Sequence, residues 1–191
     1  MNEVIVYLKL GLYHVLEWQA YDHILFLVVL TVVYTLSDWK KVIWMITLFT
    51  LGHTMTLALA AYKVLEVKVD IVEFLIPVTI IITALANMIT SKKLHKSGIN
   101  LIFAFFFGTI HGLGFSSYFK MIVDDVDAKL FPLFNFAIGI EIAQIIIVSV
   151  ILIIGFIVQK IFKVSKRDWV LITSSIVIGI IIPMLIERKF W

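Results

Sequence analysis

The chain has 191 residues, of which 62% are hydrophobic and 15% charged, with a mean hydropathy of +1.08. A soluble domain of this size has too much surface per unit volume to hide so many apolar side chains, which excludes a water-soluble globule and requires a lipid solvent. The lack of cysteine excludes disulfides, thiolate metal sites and cysteine nucleophiles, and the net charge of +3 comes from bases scattered over short connections, with no patch to bind nucleic acid.

In chain order, the first segment, about residues 1–20, is apolar from Val4 to Gln19 apart from Lys9, His14, Glu17 and Gln19. Lys9, Tyr13 and Glu17 recur at every fourth residue, which predicts an amphipathic helix lying in the membrane interface or re-entering it. The segment lacks the basic start and cleavage site of a secretory signal and is expected to be retained. Six apolar runs follow, about 21–36, 42–61, 71–89, 99–115, 131–158 and 169–186. Each is near the ~17 to 25 residues that cross a bilayer as a helix, with the short first run met by local thinning and the long fifth by tilt. The expected fold is therefore all-α: one polytopic membrane bundle of about six transmembrane helices. In the fourth run Gly108, Gly112 and Gly114 surround His111, a pattern that predicts a broken helix lining a cavity, or close helix packing. Pro77 loosens the third run in the same way, and Trp18, Trp39, Trp44, Trp169 and Trp191 lie at run ends as interfacial anchors.

Orientation follows from the bases. Nine Lys/Arg lie in the connections 37–41, 91–98 and 159–168, against seven in the termini and the connections 62–70 and 116–130, where eight acids accompany them. This margin predicts a multi-pass cell-membrane protein with both termini on the non-cytoplasmic side. Asp124, Asp125 and Asp127 then form either a cation vestibule or a plain hydrated loop.

Ionisable residues within the runs are costly in lipid and face the bundle interior or a cavity. Asp22 and His23 open the first run, His53 lies in the second, Glu73 begins the third, His111 is in the fourth, and Asn135, Glu141 and Gln144 are in the fifth. Counted inward at ~1.5 Å per residue, all the charged ones fall in the outer half of the membrane. His14, Asp22, His23, His53 and His111 are the expected metal ligands, since imidazole with carboxylate suits Zn, Ni or Co, as well as Cu(II) or Fe(II), better than Mg or Ca. Glu73, Asn135, Glu141 and Gln144 are placed around them, orienting ligands, lining a pathway or joining helices. Asn87 is read as interhelical glue, and His95, among Lys92, Lys93 and Lys96, as a solvated loop residue.

Several of these pieces occur together in one known pattern: Gly11 to His14, Tyr21-Asp22-His23-Ile24-Leu25-Phe26-Leu27, Phe49-Thr50-Leu51-Gly52-His53-Thr54-Met55-Thr56-Leu57, Val72-Glu73, Ala86-Asn87, Phe107-Gly108, His111-Gly112-Leu113-Gly114-Phe115 and Phe134-Asn135 with Gly139, Glu141 and Gln144. In this order, over nearly the whole chain, they resemble the second, more divergent branch of the HupE/UreJ membrane proteins, which are hydrogenase- and urease-accessory-like. The resemblance implies a nickel or cobalt permease. Two features depart from the permease pattern: seven residues separate His14 from Asp22, more than usual, and the histidine-rich string of nickel permeases is missing.

The expected function is a transporter of a divalent transition metal, its partners being the bilayer and the ion, with helix rearrangement around the glycine-rich fourth run. Uptake is expected to weaken as pH falls through about 6.5, where imidazole protonates and ceases to be a ligand. The alternative is an intramembrane zinc hydrolase using the same cluster, with Glu73 or Glu141 as general base. A scaffold without metal is a third. The sequence assigns no oligomeric state.

Overall fold

The computed structural model describes residues 3–17, 21–89, 99–123 and 128–191 and contains no strand among them. Its helices are α1 (Glu3–Leu16), α2 (Asp22–Thr31), α3 (Trp39–Ala61), α4 (Val69–Ile89), α5 (Ile99–Val123), α6 (Leu130–Lys160) and α7 (Lys166–Glu187). The five from α3 to α7 are long and apolar enough to cross a bilayer, which makes the chain a multi-pass membrane protein. Trp18, the loop around His95, and Asp124, Asp125 and Asp127 lie outside the described residues.

The first apolar run does not form one long helix. Only the 10 residues of α2 are helical, about 15 Å of length. At its end the Thr31 hydroxyl donates to the Leu27 carbonyl at 2.6 Å, and helical structure resumes in a 3₁₀ turn, Leu36–Asp38, where the Asp38 carboxylate accepts from the Thr35 amide and hydroxyl. α2 is nearly all buried, packed against α4, α6 and α7. Its segment reaches between opposite ends of the bundle. Asp22 meets Arg188 just beyond α7, whereas the Tyr34 hydroxyl accepts from Asn100 at the start of α5.

Neighbouring contacts give the helix directions. α3 and α5 run parallel, with Phe49 against Gly108 and His53 against Gly112. α4 is antiparallel to α5 and α7, since Val72 and Ile76 meet Gly114 while Phe74 stacks edge-on with Phe190 and Trp191. α6 is antiparallel to α3, because Phe136 faces His53 and Glu141 faces Thr47.

α5 is continuous through Gly108, Gly112 and Gly114, so the interruption expected there is not formed. The reason is close approach. A Cβ at Gly108 would strike the Phe49 carbonyl oxygen, and one at Gly112 the His53 carbonyl oxygen and the Thr56 hydroxyl. The glycines thus serve a small-residue seam of the kind that lets membrane helices touch along their backbones. Thr56 crosses this seam, its hydroxyl donating to the Thr109 carbonyl at 2.9 Å. α5 also continues eight residues past the expected end at Phe115, because Phe119 and Val123 are buried.

Gly112→Ala is therefore expected to cost about 1–3 kcal/mol by overpacking and to lower the thermal unfolding midpoint in detergent. Gly179→Ala, where nothing lies within 4 Å of an added Cβ, does not lower the midpoint. Equal midpoints for the two variants contradict the seam.

Candidate functional site

α1 docks on α6 through glycine, since a Cβ at Gly11 would strike the Phe136 carbonyl oxygen and one at Gly139 that of Leu8. One turn after Gly11, this contact delivers His14 to the bundle interior. His23 arrives from the first turn of α2, His53 from α3 beside Gly52, and His111 from α5 between Gly108 and Gly112. Four histidines from four helices thus converge, with ring centroids 4.6 Å apart for His14 and His23, 5.5 Å for His14 and His53, and 5.2 Å for His23 and His111.

Within this group one ring nitrogen each from His14, His23 and His53 lies within 4.8 Å of the others. Apolar rings wall the cluster: Phe115 and Phe136 against His14, Phe26 and Phe49 against His111. A buried nitrogen in such surroundings normally has a hydrogen-bond partner. Yet Nε2 of His14, Nε2 of His23, both nitrogens of His53 and Nδ1 of His111 are buried without one among the described residues. Leaving them so costs desolvation energy, on the order of 1–3 kcal/mol each.

Asp22 does not join the nitrogens. Its Oδ1 accepts from the His23 Nδ1 at 2.9 Å and from the His23 backbone amide at 2.8 Å, while its Oδ2 accepts from Arg188 at 3.1 Å. An ionised carboxylate only accepts, so Nδ1 of His23 carries the proton and Nε2 presents its lone pair. Asp22 and His23 are neighbours on one helix. The carboxylate folds back onto its own imidazole instead of pointing with it. His111 is oriented differently. The Thr79 hydroxyl gives its one proton to the Ile76 carbonyl at 2.7 Å, so at 3.3 Å it can only accept from His111 Nε2, and Nδ1 is the free lone pair.

The remaining expected residues separate. Glu73 is exposed on α4 and is not among the residues whose ligand atoms converge. Asn135 is buried and donates to the Phe131 carbonyl on its own helix at 2.8 Å. Glu141 and Gln144 form a distinct polar group with Thr47 and Thr50, one turn along α3 from His53. Asn87 joins α4 to the Val29 carbonyl, as interhelical glue does.

An open cavity of about 570 Å³ leads to the cluster, lined by Leu10, Tyr13, His14, Glu17, Phe115 and Tyr118. His14 belongs to both the cavity wall and the cluster. Arg188 and Thr79 are the site residues that sequence reasoning missed. Arg188 counts in the sequence only as a terminal loop charge, and nothing local links it to Asp22.

The histidine-bearing helices take up both halves of the chain, so a relationship confined to one half would not account for the site. The similarity is not so confined: the family described as HupE / UreJ protein matches residues 1–188, taking in His14, His23, His53, His111 and Arg188 alike. Among curated proteins and among solved structures nothing matches the chain. With a match of this extent, the chain belongs to the HupE/UreJ family.

Proposed function

We propose that the protein is a transporter that takes a divalent transition-metal cation from one side of the membrane, binds it among His14, His23 and His53, and passes it across. The observation that carries this reading is the convergence of three imidazole nitrogens within 4.8 Å, with Nε2 of all three rings buried and without a partner. Nitrogens bound to one tetrahedral Zn²⁺ at about 2.0–2.1 Å stand about 3.3 Å apart, within reach of small side-chain adjustments here. His111 supplies a fourth nitrogen through Nδ1. Three or four imidazoles suit Zn, Ni or Co, and membership of a family associated with metal handling agrees. Asp22 acts through His23 by holding its tautomer, as carboxylates behind metal-binding imidazoles do. Glu17, in the cavity wall, attracts cations toward His14.

In this reading α2 and the turn after it form a sixth crossing, joining the Arg188 end of the bundle to the Asn100 end. With the Arg188 end on the non-cytoplasmic side, both termini lie outside and the cavity opens outward. The hydrolase alternative draws less support. Glu73 is exposed and Glu141 is held by two threonines, so neither stands beside the imidazoles as a general base.

The test is elemental analysis of the purified protein, followed by flux of the same metal through reconstituted vesicles. Close to one Zn, Ni or Co per chain and flux of that ion are expected. Absence of metal after loading contradicts the site, and bound metal without flux favours the hydrolase.

A further inference from the structure

The second polar group in the bundle consists of Glu141 and Gln144 on α6 with Thr47 and Thr50 on α3. Thr47 donates to Glu141 Oε1 at 2.5 Å, and the Thr50 hydroxyl lies 2.6 Å from Glu141 Oε2 and 3.0 Å from Gln144 Oε1. Gln144 is completely buried, and its Nε2 has no partner among the described residues.

A hydroxyl has a single proton, so Thr50 cannot donate to both oxygens. Two arrangements respect that limit. In the first, Glu141 is protonated: its Oε2–H donates to Thr50 Oγ1, Thr50 donates to Gln144 Oε1, and Gln144 Nε2 is left over. This is the arrangement in which the amide oxygen faces Thr50. In the second, Glu141 is ionised: Thr47 and Thr50 both donate to the carboxylate, and the Gln144 amide turns over so that Nε2 donates to Thr50 Oγ1. Adding one proton from water to Glu141 converts the second into the first, by reversing a short chain of hydrogen bonds. Neither arrangement strands an oxygen lone pair against another.

We propose that Glu141 is a reversible proton site and that a proton is exchanged there as a cation passes. The proton site follows from the hydrogen bonds alone; its coupling to a cation rests on the transporter reading above. Thr50 lies three residues before His53 on α3, about 4.5 Å along the helix, so a cation leaving the imidazoles toward the start of α3 meets Glu141 next. A cation held at the carboxylate takes the place of the proton there, since both bind the same oxygens. The ionisable groups on the elements packed against α6 are Glu3, Lys9 and His14 on α1, Asp22 and His23 on α2, Lys40, Lys41 and His53 on α3, and Asp38 in the 3₁₀ turn, while those of α7 sit at its two ends. None of them forms a hydrogen bond or ion pair with Glu141 among the described residues.

Infrared difference spectroscopy of the purified full chain tests the proton site. Among the carboxylic-acid carbonyl bands that the chain's 13 Asp and Glu lose on raising pH, one component is expected to be missing in Glu141→Gln and shifted in Thr50→Val, which loses the hydroxyl between the two side chains. Glu141→Gln keeps the shape and the donor of the protonated acid, so its fold is retained. A set of titrating bands identical in the wild type and in Glu141→Gln overturns the proton site. In proteoliposomes containing a pH dye, Zn²⁺ uptake by the wild type is accompanied by proton movement that Glu141→Gln loses. The same proton movement per Zn²⁺ in both proteins overturns the coupling. If the wild type carries no Zn²⁺, Ni²⁺ or Co²⁺ while the infrared band behaves as expected, the transporter reading and the coupling fail and the proton site stands.

Discussion

Alanine at His53 is expected to weaken binding of Zn²⁺, Ni²⁺ or Co²⁺ to the purified protein by more than about 100-fold, since partners one shell further out are already worth about 10–100-fold. His53 is completely buried, and both its ring nitrogens lack partners among the described residues. It therefore has no hydrogen-bonding role to lose, and the variant should fold with little loss of stability apart from the cavity left by the ring. Glutamine at the same position, also polar but a poor ligand for these ions, should be no better than alanine. Isothermal titration checks this. Tight binding retained in both variants contradicts the imidazole site.

The second large effect concerns Asp22. Asp22→Asn removes the charge that holds the proton on His23 Nδ1 and leaves Arg188 without its carboxylate. Metal affinity is expected to fall about 10–100-fold, the range found for outer-shell partners of metal-binding histidines. Arg188→Met removes only the far end of the chain Arg188–Asp22–His23, so a smaller loss is expected. The order His53→Ala, then Asp22→Asn, then Arg188→Met distinguishes a ligand from a residue acting through a ligand. Asp22→Asn as damaging as His53→Ala would make Asp22 itself a ligand, contrary to the geometry.

The convergence of His14, His23, His53 and His111 was legible in the sequence because imidazoles scattered through lipid are costly, which draws them to one place. Their relative depth was less legible. With the fourth run expected to end at Phe115, His111 falls about one turn from the membrane surface and His53 two to three. α5 instead runs to Val123, twelve residues beyond His111, and its parallel seam with α3 brings the two histidines to one level. Local hydropathy undervalued the stretch from Ser116 to Val123, since burial of Phe119 and Val123 is a tertiary fact. The glycines of α5 illustrate the same limit. Composition marks Gly108 and Gly112 as special, but whether they break the helix or admit a neighbour depends on α3 lying against them.

Glu141 was expected among the imidazoles. Thr47, Thr50 and His53 recur in steps of three along one helical face, which is a visible sign of a polar track, but the place where α6 crosses that track is set by packing and not by spacing. Arg188 lies 166 residues from Asp22 in sequence, so no local pattern joins them. The short α2 was foreshadowed by the shortness of the first apolar run. Its replacement after Thr31 by a turn and a Thr35–Asp38 cap was not.

Metal uptake by one preparation of proteoliposomes, compared for the wild type, His23→Ala and His53→Ala, tests the central claim most directly. The wild type should accumulate Zn²⁺, Ni²⁺ or Co²⁺, and both variants should fall to the level of empty vesicles while remaining folded. Uptake by the variants equal to that of the wild type would contradict passage through the imidazole site.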